Sequence, residues 1–177
     1  ALGVNAERAL GQVGRHREIG QRQFLDQQGV EVFLQPCIDL VAAQLVESAD
    51  PVQAGGTLTY DFVLINVGDS PTTLDPTPTS GEPLAFFDVF GNFAFVSRTS
   101  SNPAVTCLTN PATSPGANLL SDCFGNLLAG EGVTITITVT PAVAGTISAT
   151  GTGDPVLLID EFLETNNTAS EATTIDP

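Results

Sequence analysis

The sequence contains no Lys, no Met and no Trp, and its 177 residues include one Tyr and one His. The single histidine, His16, is far in the sequence from every cysteine, so no Ser–His or Cys–His pair for nucleophilic catalysis is predicted. A carboxylate pair for glycoside hydrolysis is available among the 20 acidic residues. However, strands that alternate with Thr and Ser are typical of an ordinary solvated sheet face. We therefore expect no enzymatic activity.

Positive charge is also scarce, because five Arg face 20 acidic residues and give a net charge of −15. Such a charge repels nucleic acid and anionic lipid, and it argues against polynucleotide binding. No apolar run reaches the roughly 18 residues that a membrane-spanning helix needs. The first residue is Ala and no Met is present, which predicts a processed chain whose targeting segment has been removed.

The few basic residues are unevenly distributed along the chain. Four of the five Arg lie within the first 22 positions, where four acidic residues balance them, whereas residues 37–177 carry sixteen acidic residues and Arg98. The hydrophobic fraction of 42% is too high for a chain that stays unfolded. We therefore predict an uncharged N-terminal arm, residues 1–36, followed by one acidic folded domain, residues 37–177.

The arm itself combines two weak signals. Its first part has an apolar helical face that is interrupted by glycines, each of which costs about 1 kcal/mol, so only a weak helix is expected. The segment "GVEVFLQP" then alternates Val30, Val32 and Leu34 with polar or larger residues, which predicts a strand over Gly29–Gln35 that ends before Pro36. Three interpretations stay open: the strand extends its own domain, it belongs to a disordered tail, or it is a donor strand that adds to a neighbouring subunit's sheet.

The three cysteines are too few and too widely spaced for a zinc site. Cys107 and Cys123 bracket a turn-rich segment, and closing a loop of about 15 residues would stabilise the fold by roughly 3 kcal/mol in the chain-entropy model. If they pair, the protein belongs to an oxidising, extracytoplasmic environment, and Cys37 is unpaired or bonded to another chain. The alternative is three buried thiols in a cytosolic protein.

From residue 38 onward, short β-runs alternate with turn signals. "TLTYDFVLIN" places Leu58, Tyr60, Phe62 and Leu64 on one face, and "VTITITVTP" alternates throughout. The other runs include "IDLVAAQLVE", "LAFFDVF", "FAFVSRTS", "AVTCLT", "LLSDCF", "GTISATGTG", "PVLLIDEFLE" and "NTASEATTI". With no amphipathic helix in this region, the pattern predicts an all-β fold, an immunoglobulin-like Greek-key β-sandwich with an N-terminal arm.

Several of these segments resemble a known family. They are Asp39-Leu40, Gly56-Thr57-Leu58-Thr59-Tyr60, Asn66-Val67-Gly68, Val105-Thr106-Cys107, Cys123 before "FGNLLAGEGVTITITVTP", and Asn166-Asn167-Thr168-Ala169. In this order, over about 38–176, they resemble the conserved-repeat domain of bacterial and archaeal surface proteins, a domain of unknown function. The resemblance implies an immunoglobulin-like fold, a secreted or cell-wall-linked protein and a cysteine pair at positions 107 and 123. It implies no activity, and this sequence has one copy where the family usually has tandem copies.

Two candidate sites follow from the residues alone. "GDPVLLIDEFLE" brings Asp154, Asp160, Glu161 and Glu164 close together in sequence, and carboxylates are the ligands that calcium prefers, although no EF-hand spacing is present. The alternative is an acidic loop that is only solvated. Asn166 begins an N-glycosylation sequon on an expected exposed loop. No cofactor other than calcium is indicated.

The leading functional hypothesis is a non-catalytic, secreted structural subunit that polymerises into a surface filament or sheath through its arm. The expected subunit contacts are Arg8, Arg15, Arg17, Arg22, Val30, Val32 and Leu34. The alternatives are a monomeric adhesin or carbohydrate-binding module that recognises a glycan or surface ligand, or a virion or tail decoration protein. The absence of Trp weakens the carbohydrate-binding alternative, because sugar platforms are usually aromatic.

Overall fold

The computed structural model describes residues 22–25, 31–34, 37–78, 81–110 and 119–177. The chain divides into two compact units, Ala1–Pro36 and Cys37–Pro177. The expected weak helix lies outside the described residues, as do Arg8, Arg15, Arg17 and Val30 of the expected subunit contacts.

The first unit contains an antiparallel pair of short strands, β1 (Arg22–Leu25) and β2 (Glu31–Leu34). The pairing places Arg22 opposite Leu34 and Phe24 opposite Val32. β2 lies within the predicted strand Gly29–Gln35, whose other residues lie outside the described part of the chain, and its partner β1 was not predicted. The two strands form a sheet of their own, so one edge of β2 is paired within the unit.

In the second unit, the described residues form ten strands in two sheets. They are β3 (Leu40–Glu47), β4 (Val52–Gln53), β5 (Leu58–Asn66), β6 (Ala85–Phe90), β7 (Phe93–Ser100), β8 (Thr106–Asn110), β9 (Leu119–Phe124), β10 (Gly132–Pro141), β11 (Gly145–Gly153) and β12 (Thr168–Asp176). The smaller sheet has the order β3-β5-β10-β7, and the larger has the order β4-β12-β11-β6-β9-β8. Every pairing is antiparallel except that of β4 with β12.

This strand order is that of an immunoglobulin-like sandwich. When β4 and the β8–β9 hairpin are set aside, the remaining strands in chain order correspond to strands A to G of the immunoglobulin fold. The smaller sheet then has the order A-B-E-D and the larger has G-F-C, which are the two sheets of a constant-type domain. The described residues include no helix, and the predicted fold class is confirmed.

The core lies between the two sheets, where the alternating strands meet. In β5, Leu58, Tyr60, Phe62 and Leu64 are completely buried. In β10 the four apolar positions that alternate with Thr are at most 1% exposed, so the predicted inward faces of both strands are confirmed. Across the sandwich, the rings of Phe62 and Phe87 pack with centroids 5.7 Å apart.

A disulfide bond joins Cys107 of β8 to Cys123 of β9, which confirms the predicted pairing. The two residues are directly opposite each other in the antiparallel register, and both are buried. Cys37 is half-buried and has no disulfide partner in the chain. The bond therefore ties the edge strand β8 to the rest of the larger sheet.

Tyr60 provides an optical test of the core. Its hydroxyl lies 2.7 Å from the Thr173 hydroxyl and donates to the Ile147 carbonyl at 3.3 Å. Burial is the main cause that raises the pKa of Tyr60 from 10.0 to about 12, while the hydrogen bond to Thr173 opposes the shift. Because the unfolded chain loses this proton at lower pH than the folded chain does, the associated stability is complete below pH 10 and is lost as the pH rises through 12.

We expect tyrosinate absorbance to rise with a midpoint near pH 12 in the folded protein and near 10 in urea. The chain has no other Tyr and no Trp, so the signal belongs to this residue. A folded-state midpoint at 10 would show that Tyr60 is solvated. Tyr60→Phe should remove the signal and reduce the alkaline loss of stability.

Candidate functional site

The loop between β11 and β12 contains the acidic residues that the sequence singled out. "PVLLIDEFLE" was expected to be a strand, and that prediction is wrong, because residues 154–167 form an irregular loop with one isolated bridge from Ile38 to Glu161. Asp154 and Leu157 have positive φ angles of 39° and 54°. The Asp154 carboxylate accepts the N–H groups of Leu158 at 3.0 Å and Ile159 at 2.8 Å. These local bonds stabilise a turn where the apolar pattern indicated an extended strand.

Glu161 fastens this loop to the start of β3. Its Oε2 atom accepts the Leu40 N–H at 2.6 Å, and its Oε1 atom accepts a hydrogen from Asn167 Nδ2 at 3.2 Å. The Phe162 N–H donates to the Ile38 carbonyl at 2.9 Å. The carboxylate therefore satisfies buried donors from two segments that are far apart in the sequence.

Three of the four predicted metal ligands come together here. Asp154, Glu161 and Glu164 each place an oxygen so that the three atoms lie within 4.8 Å of one another, whereas the exposed Asp160 is not part of this group. Burial is the main cause that raises the pKa of Glu161, and the neighbouring carboxylates of Glu164 and Asp154 add to the rise. The hydrogen bonds from Leu40 and Asn167 oppose it.

The chemistry of this group suits two roles. Carboxylates are typical calcium ligands, but calcium takes six to eight oxygens. Both oxygens of Asp154, both of Glu161 and one of Glu164 already accept N–H groups. These bonds account for the cluster as a brace of the loop, and calcium binding stays a prediction. A calcium-dependent rise in the melting temperature that Glu164→Gln removes would establish the metal site.

The brace itself leads to a stability prediction. Glu161→Ala leaves the buried Leu40 N–H and the Asn167 amide without an acceptor, so we expect the free energy of unfolding to fall by about 2–3 kcal/mol. The matched control is Asp160→Ala, next to it on the exposed side of the loop, which should change the free energy by less than about 0.5 kcal/mol. Urea unfolding at neutral pH measures both. Equal effects of the two variants would contradict the brace.

The glycosylation sequon is less accessible than the sequence suggested. Asn166 is half-buried, its Nδ2 donates to Asp39 Oδ1 at 2.8 Å, and its backbone carbonyl accepts the Ala42 N–H at 2.9 Å. Because Nδ2 is the atom that a glycan modifies, glycosylation requires this hydrogen bond to break. Use of the sequon stays a prediction.

Exposed apolar side chains in the same loop are a feature that the sequence interpretation missed. Leu157 is 69% exposed and Phe162 is 79% exposed, and Val156, Leu158 and Leu163 are also exposed. In immunoglobulin folds the loop between strands F and G lies at an end of the sandwich that often binds ligands. The available signal was an apolar run without alternation, which the two-residue period of a half-buried strand does not explain.

Together, the fold and these contacts define the class of the protein as an immunoglobulin-like β-sandwich module. No family model matches the chain, and no curated protein matches it. Its general arrangement is similar to that of solved structures at low identity. One is the CARDB domain of the PF1109 protein from Pyrococcus furiosus, solved in complex with di-metal ions, at 16% identity and a TM-score of 0.48, covering 80% of this chain and 96% of that one.

Two further solved structures are also similar at low identity. A cohesin module from a Clostridium perfringens family 33 glycoside hydrolase has 15% identity and a TM-score of 0.39, covering 80% of this chain and 98% of that one. AvmM, which catalyses macrocyclization in alchivemycin A biosynthesis, has 12% identity and a TM-score of 0.41, and the match covers 89% of this chain and 95% of that one.

Proposed function

We propose that the chain is a non-catalytic, extracellular structural subunit that associates with further copies of itself through residues 1–36, forming a surface filament or sheath. The observation that carries the proposal is the separation of charge between the two units. Residues 37–177 carry sixteen acidic residues and one Arg, and the other four Arg lie within the first 22 positions. An arginine-bearing segment that binds the acidic sandwich of another copy would make a contact that repeats without closing.

The buried polar groups of the sandwich support a structural role. Asn66 Nδ2 donates to the carbonyls of Ser70 and Leu127, and Asn102 Nδ2 donates to Glu131 Oε1 at 2.9 Å. These side chains, like Glu161, hold loops in place.

The cysteine chemistry supports an extracellular location. A buried disulfide such as Cys107–Cys123 forms and persists in oxidising compartments. Within the described part of the chain, no helix is long and apolar enough to cross a membrane.

The exposed apolar loop favours a second candidate function, a monomeric adhesin or carbohydrate-binding module. Leu157 and Phe162 are the residues of the F–G loop that such a module would present to its ligand. A virion or tail decoration protein would use the same association as the first proposal. The two candidates differ in whether full-length chains bind one another.

Sedimentation velocity of the full chain over a wide range of concentrations tests the proposal. A subunit that assembles should show sedimentation coefficients that increase with concentration and decrease with added salt, because part of the attraction is ionic. A single slow species at every concentration would contradict assembly and favour the binding module.

A further inference from the structure

The outer face of the larger sheet carries two aspartates among apolar side chains. Successive strand residues point to opposite faces, so the exposed or half-buried positions of β6 lie outside the core, together with those of the neighbouring strands β8 and β9. We call the resulting set the aspartate face. It consists of Phe86, Asp88, Phe90, Leu108, Leu120 and Asp122.

The strand register gives each of these carboxylates at least one apolar neighbour. Asp88 lies between Leu120 on one side and Thr150 on the other, and Asp122 lies between Phe86 and Leu108. The two aspartates are diagonal neighbours on adjacent strands. Since Leu108 is 44% exposed and Phe90 is 56% exposed, the aspartate face presents apolar surface to its surroundings.

Both carboxylates lack a partner for one oxygen. The Oδ1 atoms of Asp88 and Asp122 are buried, and neither accepts a hydrogen bond from any residue that the structure describes. Burial raises the pKa of both groups, and the bond from the Val89 backbone opposes the rise for Asp88. Residues 37–177 hold one basic residue, Arg98, which lies on β7 of the other sheet and donates to Ser121. The larger sheet therefore has no cation of its own for these oxygens.

We propose that the aspartate face docks the arginine-bearing first 36 residues of a second copy of the chain. This inference rests on the proposed function and identifies the surface that receives the arm. A guanidinium is a planar donor of five N–H groups, binds carboxylates through two parallel hydrogen bonds and stacks on aromatic rings. Arginines of the arm would pair with the half-buried carboxylates of Asp88 and Asp122 once these side chains turn their buried oxygens outward, and its aliphatic residues would cover Leu108 and Leu120.

The proposed function requires that the arm bind another copy and not its own chain. An arm that binds the aspartate face of a neighbour leaves its own aspartate face open for the next arm. Such a head-to-tail contact adds subunits without limit, as a filament requires.

The first test compares self-association of full-length variants by sedimentation. Asp88→Asn combined with Asp122→Asn should weaken self-association about tenfold or more, because two charge-assisted contacts are lost. The same change should raise the melting temperature, because it removes two half-buried charges whose Oδ1 atoms have no hydrogen-bond partner among the described residues. The matched control, Asp61→Asn with Asp160→Asn, removes equal charge elsewhere, where Asp61 is already bonded to Thr136 at 2.6 Å. The control should assemble like the wild type.

The second test exchanges the charges between two full-length proteins. One carries Asp88→Lys and Asp122→Lys, and the other carries Arg8→Glu, Arg15→Glu, Arg17→Glu and Arg22→Glu. Each variant alone should stay monomeric. An equal mixture should assemble, because the unchanged arm of the first variant can bind Asp88 and Asp122 of the second, and the acidic arm of the second can bind the lysines of the first. Failure of the mixture to assemble would overturn the inference.

The outcomes separate this inference from the proposed function. Unchanged assembly of the Asp88→Asn, Asp122→Asn variant, beside an assembling wild type, would overturn the docking surface and leave the proposed function intact. A wild type that never assembles would overturn both. If the variant loses binding to an insoluble polysaccharide while its assembly is unchanged, the aspartate face belongs to a carbohydrate ligand and the inference is wrong.

Discussion

Deletion of residues 1–36 is expected to abolish self-association and leave a β-rich monomer. The deletion removes four of the five Arg and the whole β1–β2 pair, whereas both sheets of the sandwich and the disulfide lie within Cys37–Pro177. Burying an aliphatic side chain contributes about 1.5–3 kcal/mol, whereas an exposed ion pair contributes about 0–1 kcal/mol. The apolar residues of β2 should therefore provide most of the affinity between subunits. The arginines should determine the orientation and the register in which the arm binds.

Smaller changes in the arm separate these two contributions. Val32→Asp with Leu34→Asp should nearly abolish assembly, because the two changes replace apolar residues that are expected to be buried in the subunit contact. Replacing Arg8, Arg15, Arg17 and Arg22 by Gln should slow assembly and reduce its dependence on salt. Light scattering measures the rate and extent, and circular dichroism checks that the variants stay β-rich. Normal assembly of the deletion variant would show that residues 1–36 are not required for self-association.

Gly151→Val is expected to cause a large loss of stability, about 3 kcal/mol. Gly151 is buried in β11, and an added Cβ would overlap with the ring of Phe62. That ring has little freedom to move, because it is completely buried and packs against Phe87 at 5.7 Å. The close approach of β11 to β5 therefore requires glycine at this position.

Thr146→Val, at an exposed position of the same strand, is the matched control and should change the stability by less than about 0.5 kcal/mol. Urea unfolding measures both variants at neutral pH. If Gly151→Val lowers the free energy of unfolding by less than about 1 kcal/mol, the two sheets can separate locally without a large loss of stability.

The parts of the fold that follow a strict two-residue period could be predicted from the sequence. In β5 and β10 the inward side chains exclude water while Thr, Asp or larger residues cover the opposite face, so the strands, their buried faces and the sandwich were all recognisable. The disulfide could be predicted because its two cysteines bracket a turn-rich segment. Each of these features depends on residues that are close in the sequence.

The features that were missed depend on distant residues. The conformation of the loop at 154–167 depends on Glu161, which accepts the N–H of Leu40 from the other end of the domain. The aspartate face depends on the pairing of β6 with β9, which brings together Asp88 and Asp122 although β7 and β8 separate them in the chain. No local pattern signals that two aspartates of different strands will share a face.

Electron microscopy of the full-length chain, concentrated at low salt, tests the central claim most directly. We predict filaments or sheets in which sandwiches repeat at a constant spacing. These assemblies should be absent when residues 1–36 are deleted. Separate particles of the size of one sandwich, under conditions where the chain is folded and concentrated, would contradict assembly through the arm.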